Sequence, residues 1–217
     1  MTSPTAVDND VLIKTSCYAF DEELLTLYGT GIGVLDSAKY VVGDRLLKAI
    51  GINDAEQARL RWSRILRQVE ELYPSEDEVG LATAMEDFAL RNRLQLDGGE
   101  SLLFAIAIHR GLNRIVTGDK RAIQSLEVLL HESELEVGVL QNRLVCFEQL
   151  LVVFLEYVGA DEARRRVCAE PEVDKTASIC FSCSAGAGSN FDTAGLDSYI
   201  RALRAAAPLL LSVDPMS

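Results

Sequence analysis

The sequence predicts an α/β protein of three layers, α/β/α, with helices on both faces of a central, mostly parallel sheet. Three observations predict it. Short β-prone runs at 5–7, 115–117 and 143–147 are separated by much longer stretches of helical periodicity. Their order is strand, helices, strand, helix, strand, helix, the arrangement of a parallel sheet covered on both sides. Finally, 48% of the 217 residues are hydrophobic, enough to bury a sizeable core in a chain of this length.

Each element has a local reason. Thr5-Ala6-Val7 reads as a buried strand stopped by Asp8-Asn9-Asp10, after which Val11-Leu12-Ile13 carries the apolar signal into a helix. A helix over 21–28 takes Asp21 as its N-cap and turns Leu24, Leu25, Leu27 and Tyr28 inward. Gly29, Gly31 and Gly33 then break the chain. They lack both the preceding strand and the full spacing of a dinucleotide loop. Residues 39–50 form a short strand or the next helix, ended by Gly51. Asn53 and Glu56 have the spacing of a capping box, opening a helix that runs to about residue 72 with Trp62, Ile65, Leu66 and Val69 on its apolar side. Pro74-Ser75 punctuates, and a helix follows over 76–90. Gly98-Gly99 precedes an apolar helix over 100–109, ended by Gly111. Ile115-Val116-Thr117 is the second strand, broken at Gly118-Asp119. A helix over 120–131, a third strand over 143–147 and a helix over 150–158 complete a domain assigned to 1–158, with a helical insertion around 53–90. Residues 159–217 form a C-terminal extension: a Ser/Gly/Ala-rich segment, with 184–189 as a flexible loop, and a last helix over 196–211. There is no internal repeat.

The formal net charge is -12, which argues against a surface given over to non-specific nucleic-acid binding but not against a nuclease built on carboxylates. The arginines gather at Arg59, Arg61, Arg64 and Arg67 and at Arg164, Arg165 and Arg166. Either group could meet phosphates, or line a solvated helix face. Five cysteines, Cys17, Cys146, Cys168, Cys180 and Cys183, are too few and too irregular for a disulfide framework. Cys180-x-x-Cys183 lacks the further ligands of a zinc site, so free thiols are expected. The N-terminal residues do not have the form of a signal peptide, and the longest apolar run, 150–155, is too short to span a bilayer. The expected compartment is the cytoplasm, with no membrane.

The chemistry lies in the acids. In a parallel sheet, ligands collect beyond the carboxyl ends of the strands. Asp8 follows the first strand, Asp119 the second and Glu148 the third, and Glu100 opens a helix. Acids brought to one place repel one another unless a cation compensates. Oxygen ligands without His or Cys suit Mg²⁺ or Mn²⁺, ions that activate water and stabilise charge on a phosphodiester. Each acid also has a structural alternative: Asp8 or Asp10 as a helix cap, Asp119 as a turn residue, Glu100 as a first-turn acid favoured by the helix dipole, a place Asp97 could also take.

Two segments resemble the PIN-domain family. Val7-Asp8-Asn9-Asp10-Val11-Leu12-Ile13 is similar to that family's opening Asp-x-Asn/Ser-x-Leu-Ile, with Asp10 where Asn or Ser is usual. Gly99-Glu100-Ser101-Leu102-Leu103-Phe104-Ala105-Ile106-Ala107, Gly111 and Ile115-Val116-Thr117-Gly118-Asp119 resemble its acid, small-residue helix, glycine, strand and Thr-x-Asp. The resemblance covers roughly 1–158, its middle poorly matched. It implies an α/β/α fold and a metal-dependent ribonuclease in which Asp8, Glu100 and Asp119 bind Mg²⁺ or Mn²⁺ and an activated water attacks phosphorus. Thr117 and Asp10 would orient those ligands, and rim arginines would hold the RNA. Many small relatives are toxins of toxin–antitoxin pairs, so an antitoxin is an expected partner. The family's second acid is not matched: Asp44, in Val41-Val42-Gly43-Asp44, is the nearest, and Glu148 is an extra candidate. Without it the alternative is a catalytically inactive PIN-like interaction module. The apolar stripe of Leu203, Ala206, Ala207, Leu210 and Leu211 on the last helix suits either a homodimer contact or, equally well, packing on its own domain.

Overall fold

The computed structural model describes residues 4–184 and 193–215. The loop expected over 184–189 lies, beyond its first residue, outside the described residues. Five parallel strands form the sheet in the order β3-β2-β1-β4-β5, from β1 (Thr5–Val7), β2 (Ile32–Leu35), β3 (Glu70–Leu72), β4 (Arg114–Thr117) and β5 (Leu144–Cys146). The helices are α1 (Asn9–Cys17), α2 (Asp21–Tyr28), α3 (Ala38–Lys48), α4 (Ala55–Leu66), α5 (Glu76–Asn92), α6 (Gly98–Arg110), α7 (Lys120–Glu132), α8 (Phe147–Val158), α9 (Ala160–Ala169), α10 (Lys175–Cys180) and α11 (Ala194–Ala206). The expected three-layer fold is present, and the sheet is parallel throughout.

Strand side chains alternate between two cores, as the period of an extended chain requires. Val7, Ile32, Val34, Val116 and Val145 face one layer, with Tyr18, Phe20, Trp62 and Phe154. Ala6, Leu35, Leu72, Ile115, Leu144 and Cys146 face the other, with Met85, Phe104 and Leu126. The C-terminal segment enters both: Phe181 and Leu196 in the first, Leu203 and Leu210 in the second.

Two strands depart from the sequence reading. β2 runs through Gly33 because a side chain there would collide with Leu72, whose Cδ1 lies 2.9 Å from the Cβ position; that glycine is a packing requirement within a strand. β3 replaces the end of the helix expected to reach residue 72. Glu70 and Glu71 favour helix on propensity, but Leu72 has a buried place beside β2, in register with Leu35, and tertiary pairing overrides propensity.

Three helix boundaries also move. Phe20 rather than Asp21 occupies the N-cap of α2, because the buried Asp21 carboxylate accepts from Arg64 at 2.7 Å. Asp54 rather than Asn53 caps α4; the Asn53 amide is drawn to Ala169 O, and Glu170 accepts from the backbone N–H groups of Asn53 and Asp54. α11 stops at Ala206, just before Pro208, which cannot continue a helix. The chain then runs alongside β5, with Leu144 N–H donating to Leu210 O at 3.0 Å and Ser212 N–H to Leu144 O at 2.7 Å. Leu203, Ala207, Leu210 and Leu211 are thereby buried in their own domain, while Ala206 of the same stripe is exposed.

The cysteine reading is corrected as well. Cys168 and Cys183 form a disulfide across a sequence separation of 15; Cys17, Cys146 and Cys180 are free and buried. The Cys-x-x-Cys pair does not act as a unit, because α10 turns Cys180 inward while Cys183 meets Cys168 at the end of α9. A closed loop of this size contributes about 3 kcal/mol through the unfolded chain. Dithiothreitol should therefore lower the unfolding free energy by that order, seen as a lower denaturation midpoint, and Cys168→Ser should make the protein insensitive to the reductant. An unchanged midpoint on reduction would refute the bond's contribution.

Candidate functional site

In a sheet of order 3-2-1-4-5 the crossovers reverse direction between β1 and β4, and the crevice beyond their carboxyl ends is the natural ligand position. Both strands end in acid there. Asp8 follows β1 and caps α1, its Oδ1 accepting from Asn9 N–H at 2.7 Å. Asp119 follows β4 and caps α7, accepting from the N–H groups of Arg121 and Ala122. Thr117, fully buried at the end of β4, joins them: its hydroxyl donates to Asp8 Oδ2 at 3.4 Å and accepts from Asp119 N–H at 3.2 Å.

The third wall is the N-terminus of α6. Asp97 is its N-cap and Glu100 its third residue, forming a reciprocal capping box: Glu100 N–H donates to Asp97 Oδ1 at 2.9 Å and Asp97 N–H to Glu100 Oε2 at 3.1 Å. Gly98 and Gly99 carry the helix to the cleft. The capping roles weighed from the sequence are thus real, and the same residues line one cleft of about 910 Å³ with Asp10 and Asp174.

The electrostatics divide this cleft. Burial, reinforced by Asp10, pushes Asp8 up to about 6. Burial, reinforced by Asp97, Asp119 and Asp8, pushes Glu100 up to about 8. Asp119 lies below the usual carboxylate range: burial raises it, but the Arg121 guanidinium, 2.8 Å away, and the two helix N–H groups outweigh that. The frustrated acids are therefore Asp8 and Glu100, together with Asp10, where burial outweighs the charge of Lys14; Asp119 and Asp174 are held below the usual carboxylate range.

The sequence reading missed the compensating groups. Lys14, on α1 one turn after Asp10, donates to Asp10 at 2.5 Å and to Asp174 at 2.6 Å. Asp174, the N-cap of α10, comes from the C-terminal extension. Lys120 and Arg121 open α7 and also line the cleft. Only the Asp10 to Lys14 spacing was visible in advance; a contact spanning residues 14 and 174 leaves no local trace. Two named candidates lie elsewhere. Asp44 sits exposed on α3, paired with Lys48 at 2.7 Å, and does not line the cleft. Glu148 is buried at the start of α8 and holds Lys120 at 2.5 Å, so it positions a cation rather than facing the cleft. Several of the grouped arginines are engaged elsewhere: Arg61 with Ser16 O, Arg64 with Asp21, Arg165 with Glu162, and Arg166 with Glu162 and Glu23.

The donor set is hard oxygen throughout, which fits Mg²⁺ or Mn²⁺ in kind. As the side chains stand, no group of three His, Cys, Asp or Glu residues among the described residues is drawn together enough to hold an ion. Asp119 would have to leave Arg121 and Glu100 to release Asp97 N–H for their oxygens to converge. Among the described residues no helix is long and apolar enough to cross a membrane. Compared with family models, with curated proteins and with solved structures, the chain matches none.

Gly118 gives a direct check on the geometry. A Cβ there would lie 1.9 Å from Asp10 Oδ2 and 3.0 Å from Lys14 Nζ. Gly118→Ala must push Asp10 off Lys14 and should destabilise the protein by about 1–3 kcal/mol, read from chemical denaturation. A midpoint equal to wild type would show that the Asp10–Lys14 pair does not rest on Gly118.

Proposed function

We propose that this protein is a metal-dependent endoribonuclease of the PIN-domain kind, with Asp8, Glu100 and Asp119 as its principal metal-binding carboxylates and Asp97 beside them. The observation that carries the reading is that acids from three separate elements line one cleft, with Glu100 buried among them where its ionised form is disfavoured. A structural role alone would not bury uncompensated acids together. A bound Mg²⁺ or Mn²⁺ would lower the pKa of a water and neutralise charge on the phosphodiester. The chain's own part is positional: Thr117 ties Asp8 to the backbone of Asp119, and Lys120 and Arg121 at the rim supply cations for flanking RNA phosphates. Single-stranded RNA is the expected substrate and the cytoplasm the expected compartment.

The experiment is cleavage of a labelled single-stranded RNA with Mn²⁺, with Mg²⁺ and with EDTA. Cleavage that requires the metal supports the reading; none by the folded protein under either metal sinks it. The second reading, an interaction module or an antitoxin-bound form, is favoured by one surface. Tyr40, Leu47 and Ile50 on or just after α3 are exposed, and Ser37 and Val41 of the same stretch line the cleft. A partner seated there would also reach the catalytic opening.

A further inference from the structure

We propose that Lys14 is the resident cation of the cleft, standing between Asp10 and Asp174 in the role a second divalent ion would otherwise fill, so that the site takes one Mg²⁺ or Mn²⁺ ion and not two. This rests on the metal-dependent reading above and specifies its stoichiometry.

Six acids line the cleft against three cations, but the pairing is uneven. Lys120 is committed to Glu148 and Arg121 to Asp119. Lys14 alone bridges two of the lining acids, at 2.5 Å and 2.6 Å, with a side chain only 10% exposed. Its ammonium also lies 5.1 Å from the centre of the Phe147 ring, a further stabilising surface for a cation. Gly118 closes the remaining side, where any side chain would collide with the pair. The ammonium is thus fixed by α1, by α10 and by the turn after β4. Burial disfavours its charge, but the two carboxylates outweigh that and hold it firmly protonated. Asp10 and Asp174 therefore each have the Lys14 ammonium at hydrogen-bond distance, whereas among the described residues no Lys or Arg forms an ion pair with Asp8, Asp97 or Glu100. Two-ion phosphodiesterases clamp the attacking and leaving oxygens with a pair of cations a few ångströms apart; here one member of such a pair is built into the chain.

Calorimetric titration with Mn²⁺ on the full chain, with bound ions counted by electron paramagnetic resonance, tests this. Wild type should bind one ion, Lys14→Met two, and Asp174→Asn, which leaves the cation in place, one. Lys14→Gln, which keeps a side-chain donor for the two carboxylates, should also bind two, and covers a failure of Lys14→Met to fold. Two ions in wild type, or one in wild type and in the folded Lys14 variants alike, would overturn the inference while leaving the metal reading standing. Wild type that binds no Mn²⁺ at millimolar concentration would overturn both.

Discussion

Asp8→Asn and Asp119→Asn are expected to lower Mn²⁺-dependent RNA cleavage by about a hundred- to a thousandfold while leaving the fold intact. Both acids are helix caps, and Asn caps as well as Asp, so the acceptors for Asn9 N–H and for Arg121 and Ala122 N–H survive. Asp8→Asn even removes a charge that burial disfavours. What each substitution removes is the anionic oxygen a divalent ion needs. Asp119→Ala separates the two roles: it should lose the same activity and, with its cap gone, about 0.5–2 kcal/mol of stability. Asn variants that melt like wild type and cleave like wild type would remove these residues from the chemistry.

Glu100→Gln is expected to stabilise the metal-free protein, with a gain that depends on pH in a defined direction. The folded state raises Glu100 from 4.5 to about 8. The stability associated with its protonated form is complete below pH 4.5 and is lost as pH rises through 8. Gln has no charge to bury and can still accept from Asp97 N–H. The variant should therefore match wild type near pH 4 and pull ahead between pH 5 and pH 8, levelling off above that at a few kcal/mol, below the roughly 5 kcal/mol of the full shift because solvent screens a partly open site. Each kcal/mol corresponds to about 2–4 °C in a chain of this size. Saturating Mn²⁺ should erase or reverse the difference, because the ion compensates Glu100 and has less hold on Gln. A variant less stable than wild type at pH 8 without metal would contradict the frustration assigned to Glu100.

What the sequence disclosed follows from how local each signal is. Asp8 and Asp119 were legible because each ends an apolar, β-prone run, and the parallel sheet made those ends one place. Glu100 and Asp97 were legible through their spacing at a helix start. Lys14, Asp174 and the Cys168–Cys183 bond were not, because each depends on a fold that returns residues 168–183 to α1 and α9. β2 and β3 were missed because Gly33 and Glu70-Glu71 carry composition that argues against strand; Leu72 and its neighbours decide the matter through packing. Asp44 lies exposed on α3, away from the cleft, whereas Asp10 and Asp97, also candidates from the sequence, line it together with Asp174.

The course of the chain after α11 has a consequence for self-association. A parallel sheet has two edges, and an open edge invites strands from other molecules. Here one edge is closed by residues 209–212, with the buried Glu127 accepting from Leu209 and Leu210 N–H and Gln149 donating to Ser212 O. The other is β3, only three residues long, with exposed Glu70 on it and Glu71 tied to Lys39, a short and charged edge that disfavours pairing. Shortening the chain before Leu209 would leave the outer N–H and C=O of Leu144 without their partners and turn a covered edge into a template for aggregation.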